Sequence, residues 1–180
     1  MILQLVFFTV CLLDSLQEIV NKKSYFKRLR NFMFKSLAFP IGTFVFFSFW
    51  LIYAIDRELV FPTRFDAIIP SWHNHIMHTL PVIGTWIECY LNEYKYEKSA
   101  FFGVVPTFLA AFAYLIWMLI VRKFGGIWVY PLMNVLTNFQ KFFVILIFFA
   151  IVGGFYRLGQ FLNEYFWPKH SIKNTKSKKN

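Results

Sequence analysis

Residues 101–121 read FFGVVPTFLAAFAYLIWMLIV, twenty-one positions without a charged side chain. At about 1.5 Å per residue a helix of that length covers ~30 Å, the hydrocarbon thickness of a bilayer. The rest of the chain repeats the theme. Leu37 to Ile55, LAFPIGTFVFFSFWLIYAI, is a second uncharged run. Roughly 141–163 supplies another long apolar segment, and 71–90 is apolar but striped with polar groups. Of the 180 residues 58% are hydrophobic and 22% aromatic, with 25 Phe and a mean hydropathy of +0.51. A soluble domain averages ~45–50% apolar residues, and a core this small could not hide so many phenylalanines. The composition therefore predicts an all-α, multi-pass transmembrane helix bundle.

The expected organisation is one transmembrane domain over 1–167 and a basic tail over 168–180. Four complete spans fall at about 37–55, 71–90, 101–121 and 141–163. The opening MILQLVFFTVCLL, residues 1–13, reaches roughly 20 Å and reads as a partial helix whose beginning is absent. It lacks the positive leader and small-residue cleavage site of a signal peptide. The segment containing GGIWVYP, between 122 and 140, suits an interfacial or re-entrant piece. Cys11 and Cys89 both lie in apolar surroundings and imply no disulfide framework.

The net charge of +10 follows the spans. Thirteen Lys and Arg lie in the first connector, the 91–100 loop and the tail, against five on the opposite side, with Arg157 inside the last span. The positive-inside rule then places the first connector and the C-terminus in the cytosol. Charge arranged this way serves orientation. No segment forms the basic face of a soluble nucleic-acid binder. The ending Lys176-Ser177-Lys178-Lys179-Asn180 fits a K-x-K-x-x retrieval pattern for the endoplasmic reticulum, and equally a tail drawn to anionic lipid. Endomembranes or the plasma membrane are the expected locations.

The stretch SWHNHIMHTLPVIGTWIECY, residues 71–90, is the chemically informative one. Projected at 100° per residue, Ser71, Asn74, His75, His78, Thr85 and Cys89 share one band, with His73 nearly opposite. Pro81 should kink the helix and blur the phase beyond it. Such a band must face protein or a wet cavity. His75 and His78 could meet one metal ion, but no HExxH is present and no acidic residues complete a shell. A neutral imidazole is also a general base near neutral pH. A structural histidine bonding a neighbouring helix is the plainest alternative, and on spacing alone it leads. Asp56 or Glu58 could orient a histidine, and Arg57 could pair with a substrate carboxylate. Arg157, Gln160 and Glu164 line one face of the last span and read as ties between helices. Thr43, Thr85 and Thr107 are nucleophile candidates by residue type only, since membrane threonines usually bond their own helix.

Four phrases at characteristic spacing, FPIGTFVFFSFWLIYAIDRELVFP, IIPSWHNHIMHTLP, GIWVYP and LGQFLNEYFW, closely resemble the family of androgen-induced gene 1 protein and androgen-dependent TFPI-regulating protein. The resemblance covers nearly everything from residue 2 to Trp167. It implies a multi-pass membrane hydrolase of fatty acid esters of hydroxy fatty acids, with a threonine nucleophile, a histidine base and no cofactor or metal. The family's catalytic histidine, the second of NH-x-MH, falls on His78. The nucleophilic threonine lies near the start of a helix whose latter part resembles ILQLVFFTVCLLDSL, residues 2–16. That alignment puts the nucleophile upstream of Met1, so the chain reads as a truncated or short-isoform member. Thr9 lies a few turns too late and Thr43 in the next span. Membrane lipids and a lipid ester are the implied partners. A catalytically inactive membrane protein that binds lipid or partners is the alternative.

Overall fold

The computed structural model describes residues 1–21, 24–97 and 99–168; Lys22, Lys23 and the basic tail beyond Pro168 lie outside them. The described residues form helices and turns without a β-strand, the all-α bundle expected. Helix α1 (Ile2–Asn21) is followed by α2 (Lys27–Met33), which runs through a π-turn (Phe34–Ala38) into α3 (Phe39–Ile55). After the 56–70 loop, α4 (Ser71–Asn74) passes through a second π-turn (His75–Thr79) into α5 (Leu80–Leu91). Helices α6 (Ala100–Gly125), α7 (Leu132–Val135) and α8 (Asn138–Phe166) complete the chain. Among the described residues four helices are long and apolar enough to cross a membrane: Ile2–Val20, Lys27–Ile55, Gly103–Gly125 and Asn138–Phe166. The interrupted 71–91 path packs among them against α3 and α8.

Two departures from the sequence reading concern the same pair of elements. The N-terminal run does not stop at Leu13. It continues as a regular helix to Asn21, 20 residues in all. Asp14 does not end it because its side chain is 1% exposed and paired with Arg30 of α2. The described residues between the N-terminal run and the first full span, read from sequence as a connector, are therefore mostly helix, and α2–α3 begins ten residues before Leu37.

Both π-turns have the same local cause. Each lies just ahead of a proline, Pro40 or Pro81, which has no N–H for the helical ladder. Phe39 instead bonds Phe34 O, and Leu80 bonds His75 O. Helix α6 ends at Gly126, which adopts φ 69°, a left-handed cap that costs glycine little. Helix α8 starts at a reciprocal Thr137–Gln140 capping box.

Packing against lipid-like surroundings needs close approach, since tails are as apolar as leucine. Gly103 gives Tyr156 that room: a methyl there would collide with the phenol oxygen. Gly159 does the same, its added Cβ falling 2.7 Å from Phe39 and from Tyr96 Oη. The main buried cluster joins Phe7, Val10, Met33, Phe34, Phe39, Cys89 and Tyr94, with Phe34 and Tyr94 stacked at 3.7 Å.

Candidate functional site

The two ends of the 71–91 path meet different environments. Towards its start, His78 stands on the wall of a cavity of about 710 Å³. Contributions come from the beginning of α1 (Met1, Ile2, Leu3), the middle of α3, α6 near 110–118, and α8 near 145–152. Leu59 and Val60 of the 56–70 loop and Tyr130, Leu132 and Met133 of the 126–137 segment also line it. The lining is mostly apolar, its polar groups coming from Ser48, His78, Tyr114, Tyr130, the indole of Trp117 and the N-terminal residue Met1. The Ser48 hydroxyl is spent on its own helix, donating to Phe44 O at 2.7 Å.

The His78 ring is held by shape. It stacks on Phe49 at 3.7 Å and 9° between planes, which fixes the imidazole plane without a hydrogen bond. Its Nδ1 is buried with no hydrogen-bond partner. A buried polar atom left unsatisfied is costly; this one is closed off from the cavity that the rest of the ring lines.

His75 behaves otherwise. It is exposed, stacks on Trp50 at 4.7 Å, and its Nδ1 shares a hydrogen bond with Thr79 Oγ1 at 3.2 Å. Trp50 Nε1 donates to the same hydroxyl at 3.0 Å. Thr79 and His75 thus make a hydroxyl–imidazole pair, but neither lines the cavity, and the indole N–H occupies the oxygen that would have to attack. His73 packs beside Trp72. The polar band read from the sequence holds at Asn74, Thr85 and Cys89, which are buried, and fails at Ser71 and His75, which are exposed. The π-turn over His75–Thr79 breaks the constant step on which that projection rested. With an extra residue in that turn, positions on its two sides no longer share a face by a 100° step, and each keeps or loses its predicted side by its own packing. With His75 and His78 in separate surroundings, the shared-ion reading loses its geometry; among the described residues no three metal-ligating side chains gather.

The threonines weighed as nucleophiles are all committed elsewhere. Thr43 is fully buried and accepts from Trp86 Nε1 at 3.2 Å. Thr85 donates to Pro81 O at 2.6 Å, and Thr107 to Ser36 O at 2.7 Å. Thr9 bonds Leu5 O on the exposed face of α1. None of these four lines the cavity with His78.

The charged candidates beyond the helix ends also turn away from the histidines. Asp56 caps its own turn by accepting from Glu58 N. Glu58 accepts from Thr63 N, a bond that holds its carboxyl below the usual range. Arg57 pairs with Asp66. Arg157, Gln160 and Glu164 bond in sequence along α8 itself and do not tie helices, contrary to their reading from spacing.

Towards the end of α5 lies a network the sequence reading missed. Arg30 bridges Asp14 at 2.9 Å and Glu88, while Glu88 Oε1 also accepts from Tyr94 Oη and from Asn92 Nδ2 at 3.1 Å. Burial, and next the Glu88 charge, push the Tyr94 phenol far above its ordinary value. Asn163 clamps the loop with two bonds to the Tyr94 backbone, 2.7 and 2.8 Å. Lys35 reaches Glu97 at 2.7 Å and Lys95 O at 3.1 Å. The signal available was Glu88, the lone acid in the 71–90 stretch.

Fold and site together define an integral membrane protein, a helical bundle around an internal apolar cavity. The chain belongs to the FAR-17a/AIG1-like protein family, whose model matches residues 1–164. It is 33% identical to human (Homo sapiens) androgen-induced gene 1 protein, an alignment covering 99% of this chain and 79% of the relative. It is 35% identical to mouse (Mus musculus) androgen-dependent TFPI-regulating protein, covering 100% of this chain and 78% of the relative. The rat (Rattus norvegicus) protein of that name is also 35% identical, over 93% of this chain and 74% of the relative. No solved structure matches the chain.

Proposed function

We propose that this chain carries the base and the substrate cavity of an ester hydrolase acting on fatty acid esters of hydroxy fatty acids. The observation that carries the reading is the placement of His78. Its Nδ1 is unpartnered, its plane is fixed by Phe49, and the cavity its ring walls is mostly apolar. Such a cavity suits acyl chains, which gain ~0.8 kcal/mol per buried CH₂.

In the reaction His78 takes the proton of a hydroxyl nucleophile as that oxygen attacks the ester carbonyl. It returns the proton to the departing alcohol oxygen, leaving an acyl-enzyme. Water, deprotonated by the same ring, then releases the fatty acid and regenerates the hydroxyl. The nucleophile implied by the family resemblance is a threonine. Met1, Ile2 and Leu3 line the same cavity as His78, so the start of α1 and the imidazole share one wall.

A specific observation favours the second reading, an inactive lipid-binding protein. Thr9, Thr43, Thr85 and Thr107 all lie outside the cavity lining. The deciding experiment measures ester hydrolysis in membranes by this chain, by an N-terminally extended form carrying the family threonine, and by each with His78→Ala. Turnover in the extended form that vanishes with His78→Ala supports the hydrolase. Turnover that survives His78→Ala removes the base, and binding without turnover in every form leaves the lipid-binding reading.

The protein is integral to the membrane; the endoplasmic reticulum or plasma membrane, with a cytosolic C-terminus, is the proposed setting. The thirteen-to-five Lys/Arg distribution supports that orientation. So does the meeting of the first connector with the 92–97 loop through Lys35–Glu97 and Asn31–Lys95.

A further inference from the structure

Two hydroxyls in the cavity lining remain unused by the reading above. Tyr114 of α6 and Tyr130 of the 126–137 segment meet at 2.9 Å between their Oη atoms. Two phenols in contact hold two protons. One proton bridges the oxygens, and the other is left free on the accepting phenol. The pair therefore presents one O–H donor, strengthened because its oxygen already accepts a bond. Ser48 has no such proton to offer, having spent it on α3. The cavity wall thus offers the His78 imidazole and one free phenolic proton, with Trp117 and the N-terminal Met1 the other residues in a mostly apolar lining that carry a donor.

We infer that the Tyr114–Tyr130 pair is the positioning donor for an acceptor oxygen on the bound lipid, the carbonyl of the ester that joins a fatty acid to a hydroxy fatty acid. This rests on the cavity being the ester site proposed above. The pair selects acyl chains interrupted by an ester over uninterrupted hydrocarbon, and it fixes where along the chain the ester stops. Tyr130 belongs to the WVYP phrase and Tyr114 to a membrane helix, so the bond also ties the 126–137 segment to α6. Loop anchoring alone is the competing role, and a donor-specific readout separates the two.

The test measures binding to the purified full chain carrying His78→Ala, in lipid nanodiscs, so that no ester is consumed. One probe is a palmitic acid ester of hydroxystearic acid. The other is its all-carbon analogue, with methylenes in place of the ester group. The expected result is a preference of about 3- to 10-fold for the ester. Tyr114→Phe together with Tyr130→Phe should abolish that preference and change affinity for the carbon analogue less than about 2-fold. A preference that persists in the double variant overturns the inference, as does an equal loss of both ligands, the signature of anchoring alone. Should the double variant not fold, the single variants decide. At least one must reduce the preference by half or more, and two unchanged preferences overturn it. Hydrolysis is not read here, so a failed hydrolase reading and a failed tyrosine assignment stay distinct.

Discussion

The helical path 71–91 carries His78 towards its start and Glu88 towards its end, and treats them in opposite ways. Glu88 is saturated by Arg30, Tyr94 and Asn92. His78 has an orphaned nitrogen, an aromatic wall and a cavity. In a low-dielectric interior such a cross-linked charge network is structural, fixing how α1, α2 and α5 meet, with Asp14 Oδ1 its one buried atom left without a partner among the described residues. An unsatisfied group beside open space is held ready for something else. On the proposed function the two ends of one path divide the work: one assembles the bundle, the other meets the ligand.

The sharpest break of that comparison is His78→Ala. In whichever form hydrolyses the ester in membranes, it should lower turnover by ~10²- to 10⁴-fold, the range of a lost general base. Its thermal unfolding should shift little. Next in size is Arg30→Ala, which strands Asp14 and Glu88 without their cation. Unfolding in detergent should register a loss of ~3–5 kcal/mol, while ligand affinity per folded molecule holds. If the roles were reversed, Arg30→Ala would spare stability and His78→Ala would cost it. Smaller is Gly103→Ala, which forces a methyl against the Tyr156 oxygen. The expected cost is ~1–3 kcal/mol, partly recovered by adding Tyr156→Phe, which removes the colliding atom. A double variant no more stable than Gly103→Ala would contradict that contact.

The smallest effect is a pH dependence at the charged end. The hydrogen bond from Lys35, and then its charge, hold the Glu97 carboxyl below its ordinary value near 4.5. A depressed folded-state value contributes stability that is present above ~4.5 and lost as pH falls through the lower folded value. Glu97 is exposed, so the contribution is slight. Glu97→Gln should flatten the stability profile on the acid side below pH ~4.5 and leave pH 7 to 8 unchanged in shape. An unaltered acid limb would show that the pair contributes nothing.

How much of this was legible in the sequence follows from what each signal measures. Uncharged runs report hydrophobic length, so α3, α6 and α8 were readable from composition. The same measure ended α1 at Leu13, because Asp14 looks like a stop until Arg30, sixteen residues away, is known to neutralise it. The polar band rested on a constant 100° step. The π-turn ahead of Pro81 broke that step, so His75 faces outward while His78 lines the cavity. Pro81 gave warning of a kink but not of its phase. Tyr114 and Tyr130 were invisible as a pair, since only the return of the 126–137 segment onto α6 brings them together. Asn163 was visible only inside LGQFLNEYFW, with nothing local to say that it grips Tyr94.

The most direct measurement is photolabelling of the membrane-embedded chain with an acyl ester bearing a diazirine on its chain, followed by peptide mapping. Labels should fall on cavity-facing positions such as Phe49, Met77, Ala111 and Phe148, and unlabelled ester should displace them. Labels confined to outward positions such as Leu109 and Phe112, undiminished by competitor, would show that no ligand reaches the imidazole at 78.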